Sequence, residues 1–484
     1  MNRRTPLCRT RPGAPHPARA NHRARFVLLP ALLLTVAMCC GPQAHAAYTM
    51  TFRQVGSNVV GTGSGTINTS ALTLSFGYSQ TAAVWPNAAI AAVGPSGTAG
   101  TATFAWSGIA GPTSFGPAGE TLADSGSGDI VGVEGWRPNL NLPRTYVSGA
   151  SLSGTATWTN RTFSSLGMTP GSYTWTWGAG PSADSFTLRI LPTIVVTTTA
   201  DEDNGTTDPA QGTGTSLREA INAANNDGTL TEITFNIPGD GVKTITLSSG
   251  LTITQPVTID GYSQPGASAN TLASGSDAVL LIEINGNGAN GLTITGSNCT
   301  IKGLAIGNCY AGIYLTGAGS TGNLISGNTV GLHADGATAF NNDYGIIFQD
   351  GANNNTVGGS SAAARNVLSN NNNSGVYFNA APGAGNTISG NYIGTDAAGT
   401  AARGNGYYGV YLEGADNSTI GGTASGAGNL ISGNTHGINI NSGATGNLVQ
   451  GNKIGTNAAG TAALGNQYGV VMDGAPNNTI GGTA

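Results

Sequence analysis

Residues 323–328 read NLISGN, and the same six letters return at 429–434. Close variants stand at 386–391 (NTISGN) and 447–452 (NLVQGN), with a looser one at 366–371 (NVLSNN). Each time, two asparagines five apart bracket a small apolar core. A second signal shares the region: glycine, a branched apolar residue, any residue, then an apolar or aromatic one. It appears as GLTI at Gly291, GIYL at Gly312, GIIF at Gly345, GVYF at Gly375, GVYL at Gly409, GINI at Gly437 and GVVM at Gly469. The first interval is 21 residues; later ones alternate between 28–30 and 32–34. Self-similarity at a fixed period means stacked repeats, each burying its apolar face on its neighbours. A 21-residue unit with three short strands fits one coil of a parallel β-helix. The longer intervals add insertions such as GGTASGAG (421–428) and GTDAAGTAARGN (394–405) on alternate coils.

In that reading the asparagines sit where the chain bends between strands. Asparagine tolerates left-handed backbone angles and bonds its local backbone. Stacked in register, such side chains also pair amide to amide along the column. Leucine and isoleucine are expected to point inward. Composition agrees: only 8% of the 484 residues are charged and 77 are glycine, which suits short strands joined by tight turns.

The N-terminus reads as a secretory leader. Seven arginines and the apolar run FVLLPALLLTVAMCC (26–40) precede Ala44-His45-Ala46, a small-x-small cleavage pattern. The run is too short to span a membrane as a helix, and Pro30 interrupts it. A lipoprotein reading through Cys39 is weaker, because bulky Met38 stands where a small residue is wanted. Removing the seven arginines leaves 11 basic residues against 23 acidic, a net charge of −12. That balance argues against nucleic acid or an anionic membrane as partner, and no membrane insertion is expected after leader removal. Secretion or display at the cell surface follows. Cys299 and Cys309 remain; packing roles are favoured over a disulfide, because bridging needs closely spaced Cα atoms.

All six tryptophans fall between Trp85 and Trp177. Residues 47–192 alternate in the manner of strands, and Trp175 and Trp177 share one strand face. A β-sandwich-like domain is expected there, with Trp175 and Trp177 in its core. Residues 193–290 then form a cap and the first coils, and 291–484 the repeats. In 193–228, Ser216-Leu217-Arg218-Glu219 makes a capping box, and Leu217, Ala220, Ile221 and Ala224 follow at helical spacing. The expected helix over 216–225 would cover the open end of the coil stack. The sequence ends in NNTIGGTA, inside a repeat, so a continuing array is expected.

Three resemblances accompany these readings. The repeats from Gly291 resemble right-handed parallel β-helix proteins of the pectin-lyase-like architecture. TSLREAI (215–221) is similar to the CSLREA motif that precedes β-helical repeats in exported bacterial proteins, with Thr215 in place of the cysteine. Residues 146–190 resemble a small β domain of exosortase-sorted, PEP-CTERM-class exported proteins. The fold class is therefore all-β: a sandwich-like domain, then a right-handed parallel β-helix with a short capping helix.

Function is less sharply written, since the β-helix fold hosts lyases, hydrolases, adhesins and stalks alike. The repeats hold few acids, and Asp350, Glu413 and Asp473 are read as one repeated position on every second coil. Glu413, Asp416 and Arg403 form the one local charged group. Asp201 and Asp203 offer a weak calcium loop, with no other cofactor expected. Tyr344, Tyr408 and Tyr468 each precede a G-I/V strand. They are expected as a column with about 10 Å between rings, twice the strand spacing. The favoured reading is a non-enzymatic surface or matrix protein that binds polysaccharide or a cell-surface glycan. The alternative is a polysaccharide lyase or glycoside hydrolase with its site in 260–283 or in further coils.

Overall fold

The computed structural model describes residues 47–55, 58–97, 100–227, 230–379 and 381–482. The leader and the cleavage pattern at 44–46 lie outside them. No helix among the described residues is long and apolar enough to cross a membrane.

Two sheets of mostly antiparallel strands build the first domain, with six and seven strands. The first strand, Ala47–Val55, pairs in parallel with the last, Asp184–Leu191. Tyr48, Met50 and Phe52 from one sheet meet Val93, Val131 and Leu140 from the other in a shared core. Alternation dictates this: in SLSGTATW every second residue is buried. Trp158, Trp175 and Trp177 are in the core, each indole N–H donating to a backbone carbonyl (Thr121, Pro112 and Asn68). Ring burial and the satisfied N–H together identify these tryptophans as packing residues.

From Thr193 onward three parallel sheets of ten, eight and eight strands stack coil on coil. One apolar core runs from Val196 to Val449. Equivalent positions align along it: Leu315, Phe348, Phe378, Leu412 and Ile440 are successive partners in the third sheet, and half-exposed Met472 follows. Phe348 and Phe378 stack with ring centroids 4.7 Å apart.

The bracketing asparagines prove to be corner residues, and there is a ladder of them at each of the three corners. One runs Asn328–Asn366–Asn391–Asn429–Asn452, each backbone N–H donating to the next side-chain oxygen at 2.9–3.3 Å. A second includes Asn323, Asn355 and Asn386, and later Asn447 and Asn478, with Ser418 standing in at one coil. The third runs Asn342–Asn371–Asn405–Asn434–Asn466. A pair of asparagines five apart therefore brackets one strand between two corners. The phrase at 323–328 encloses a strand of the first sheet (Leu324–Ser326), whereas its twin at 429–434 encloses one of the second (Leu430–Ile431).

Two expectations need correction. The left-handed residue is the one before the second asparagine: Gly327, Gly390, Gly433 and Gly451 have φ of 66–78°, and Asn370 takes that place with φ 60°. A Cβ on Gly390 would also lie 2.0 Å from the Gly359 carbonyl oxygen, so here glycine is required. And the leucine of the phrase does not face the core. Ile325 and Ile431 do, while Leu430 packs outside it with Val367 and Tyr392.

The one α-helix among the described residues, α1 (Leu217–Asp227), closes the N-terminal end of the coils. Its capping box is formed: Glu219 N–H donates to Ser216 Oγ (3.1 Å) and Ser216 N–H to Glu219 Oε2 (2.8 Å). Leu217, Ala220, Ile221 and Ala224 are all buried against the first coils.

Asn391 illustrates the energetics. Its oxygen accepts from Asn366, and its Nδ2 donates to Val357 O, Ser389 O and Asn429 Oδ1. Each buried group left unpaired costs about 1–3 kcal/mol. Asn391→Ala is expected to destabilise the β-helix by roughly 3 kcal/mol or more in urea unfolding. Asn341→Ala, on an exposed side chain, should stay within about 0.5 kcal/mol. Equal midpoints for the two would refute the ladder's structural weight. Leu217→Asp, which puts a carboxylate at a fully buried position of the cap, should promote self-association in sedimentation. Unchanged behaviour would remove the capping role.

Candidate functional site

The outer face of the third sheet gathers a run of aromatic and polar side chains. Along one column, Tyr344, Ser374, Tyr408, His436 and Tyr468 are successive partners. Three residues further along the strands, a second column reads Tyr314, Ile347, Tyr377, Tyr411, Asn439 and Val471. The rings interleave. Tyr310 meets Tyr344 edge-on at 5.5 Å, Tyr344 stacks on Tyr377 at 5.3 Å, and Tyr377 on Tyr411 at 5.0 Å with a 2° interplanar angle. Tyr411 stacks on Tyr408 at 4.4 Å, and His436 bridges Tyr408 and Tyr468 at 5.1 and 4.8 Å.

Tyr344, Tyr408 and Tyr468 do recur on every second coil. They are not isolated rungs 10 Å apart, however, because rings from the adjacent column and from intervening coils fill the gaps. The result is a continuous aromatic ribbon. Tyr310, Tyr407 and Tyr468 are about half exposed, and the other rings are partly covered by one another. The additional members are legible in the sequence: Tyr314, Tyr377 and Tyr411 occupy the free third letter of GIYL, GVYF and GVYL, which alternation sends outward.

A polar column borders the ribbon: Thr316, Gln349, Glu413 and Asn441, with Asn379 alongside. Tyr314 Oη donates to Gln349 Oε1 (2.8 Å), Tyr377 Oη to Glu413, and Asn441 Nδ2 to Tyr411 Oη (3.1 Å). Burial raises the phenol pKa values of Tyr344, Tyr377 and Tyr411; for Tyr377 the hydrogen bond to ionised Glu413 adds to it. At the C-terminal end, the amide oxygens of Asn439 and Asn441 and the His436 Nδ1 are buried without a protein hydrogen-bond partner.

The other candidate residues separate. Glu413 belongs to the ribbon's edge. Asp416 accepts the Thr445 N–H (2.9 Å), and Arg403 donates to the carbonyls of Ala337 and Ala402, so no ion pair joins the three. Strand register also splits the repeated acid. Glu413 lies beside Asn441, and Gln349 rather than Asp350 takes the equivalent place; Asp350 falls one residue later, at φ 53°. Asp201 receives a bidentate Arg218 and both the N–H and Oγ of Ser248. Burial pushes the Asp201 pKa up, but these hydrogen bonds outweigh it and leave it lowered. Asp203 accepts from Asn222. Asp201 thus pins the cap, and no group of three or more His, Cys, Asp or Glu residues able to hold a metal exists among the described residues. In 260–283, Asp260 pairs with Lys302 (2.7 Å), and Glu283 faces His333 Nδ1 (3.0 Å), Thr244 and the Ala334 N–H.

Fold and face together define a parallel β-helix repeat protein with one aromatic sheet face. Comparison with known proteins agrees on the fold. Residues 243–482, just short of half the chain, match the family described as NosD, periplasmic copper-binding protein. No curated protein and no solved structure matches the chain. The copper in that description can be tested against this chain's donors. Copper favours thiolate, thioether and imidazole ligands. Cys299 and Cys309 are free but buried, and burial pushes their thiols up to about 11 and about 12, away from the thiolate. His333 is held by Glu283 and stacked on Phe340, and His436 lies between two tyrosines. These residues do not fit a copper centre.

The raised tyrosine pKa values carry a sign. Folding favours the neutral phenol, so the stability contribution is complete below the unfolded value near 10 and is lost as pH rises through the folded values. Between about pH 10 and 12, wild type should lose stability more steeply than Tyr377→Phe. Parallel stability–pH curves would contradict the assignment.

Proposed function

We propose that this is an exported, non-catalytic repeat protein whose third sheet binds an extended polysaccharide along the tyrosine–histidine ribbon, in a structural or adhesive role. The observation that carries the reading is the ribbon itself: partly exposed rings, repeated coil after coil, beside a polar column edged by the Glu413 and Asp350 carboxylates. Aromatic faces pack on the apolar faces of sugar rings, and side-chain amides take the hydroxyls. A ligand that repeats along its length matches a site that repeats along the fold. Glu413 and the acidic balance of the chain favour a neutral or cationic glycan on this face. Export is supported by the leader-like N-terminus and by the periplasmic description of the matched family. The lyase or hydrolase alternative has less support: Asp260 is held by Lys302 and Glu283 by His333, and Glu232, the acid near Asp260, is held by Arg53.

The test is a glycan array followed by affinity electrophoresis, comparing wild type with a Tyr344→Ala, Tyr408→Ala, Tyr468→Ala triple variant whose folding is checked by circular dichroism. Loss of most of the binding to neutral polysaccharides, at roughly 0.5–1.5 kcal/mol per ring, is expected. A folded triple variant that binds like wild type would defeat the proposal.

A further inference from the structure

On a different face, the second sheet is covered by inserted loops. These loops enclose a cleft of about 340 Å³. Its wall contains two cations, Arg365 and Lys453, and no carboxylate. That is unusual in a chain with 23 acidic and 18 basic residues. Neither cation makes an ion pair among the described residues. Arg365 donates to the carbonyls of Leu272, Ala273 and Gly275, and Lys453 Nζ to the carbonyl of Ala458. Carbonyl oxygens satisfy N–H donors but leave the two positive charges unneutralised, and Arg365 Nε is buried without a partner. By contrast Lys302, Arg53 and Arg218 each face a carboxylate at 2.7–2.8 Å.

The rest of the cleft is built to hold these cations still. Arg365 lies over the Tyr392 ring, its guanidinium carbon 4.5 Å from the centroid. Tyr392 in turn accepts the Gly275 N–H on its hydroxyl (2.8 Å) and packs with Leu430 and Ala458. Ala458 belongs to the insertion that stacks on the preceding one through its N–H to the Gly399 carbonyl (2.8 Å). A guanidinium and an ammonium held by backbone carbonyls, an apolar floor and a glycine-rich rim form a receptor for a negative group.

We propose that this cleft binds an oxyanion, a carboxylate or a sulfate or phosphate ester, carried on a small polar molecule such as a sugar ring. The site is separate from the aromatic ribbon, so each stands or falls by its own variants. Calorimetric titration of the full chain with glucuronate, glucose 6-sulfate, glucose and inorganic sulfate tests it. Both sugar anions should bind, glucose should not, and affinity should fall as sodium chloride is raised. Lys453→Gln should weaken anion binding about tenfold, and Lys453→Glu should abolish it, while the ribbon triple variant binds the anions normally. Binding of inorganic sulfate in competition with the sugar anions would place the recognition in the oxyanion itself. If glucose and glucuronate bind alike, or Lys453→Gln binds as wild type does, the proposal is overturned. A fall in melting temperature for Lys453→Gln with unaltered anion affinity would overturn it too, leaving Lys453 as a loop fastener.

Discussion

The asparagine ladder is the interaction on which the β-helix depends. A coil that turns three times inside a stack must leave backbone N–H and C=O groups at each corner, where strand pairing is interrupted and water is excluded. Unpaired, such groups cost kilocalories each. An asparagine amide solves the problem locally: its oxygen accepts the N–H from one neighbouring coil and its nitrogen donates to carbonyls. Asn391, Asn429 and Asn452 show the arrangement in sequence, all but the last deeply buried. Because the ladder links each coil to the next at fixed register, it also sets the alignment of everything between the corners.

That alignment turns a short repeat into a long surface. A one-residue slip of a strand would send its outward side chains into the core. With register held at the corners, Tyr377 and Tyr411 come to lie nearly parallel, and Tyr344, Tyr408 and Tyr468 follow every second coil. The ribbon is therefore a consequence of the buried polar network rather than a separate invention. Neighbouring rings add a little stability of their own, about 0.5–1.5 kcal/mol per pair.

Much of this is written in the sequence. The period, the coil, the capping box and the four buried residues of α1 can all be read from spacing, because local rules decide them. Tertiary context decides the rest. NLISGN does not say which corner it occupies, since strands of the first and second sheets have the same needs; only the flanking insertions distinguish 323–328 from 429–434. The second residue of the phrase misleads for a related reason: Leu430 is buried, but beneath an inserted loop, and a sequence pattern does not tell an inner apolar surface from a covered outer one. Asp350 aligns with Glu413 by its following Gly-Ala, yet one extra strand residue moves it out of register. The acids at 201 and 203 read as a weak calcium loop or a solvated acidic one; the structure instead shows Arg218 and Ser248 taking the oxygens of Asp201.

The placement of insertions explains why the two proposed sites lie on different faces. In alternate coils the extra residues enter just before the second sheet, as at 421–428, or just after it, as at 394–405. Both sets fold back over that sheet, burying Val367, Tyr392 and Leu430 beneath them. The later set also stacks on itself, Ala397 on Gly336 and Ala458 on Gly399. Loops packed this way leave clefts between them, and such clefts can concentrate charge. The third sheet receives no comparable insertion at its exit: only short turns separate Gln349 from Thr356 and Glu413 from Thr419. Its outer face stays open and flat along the stack. One sheet is thus shaped for a compact group held among loops, and the other for an extended chain laid across coils.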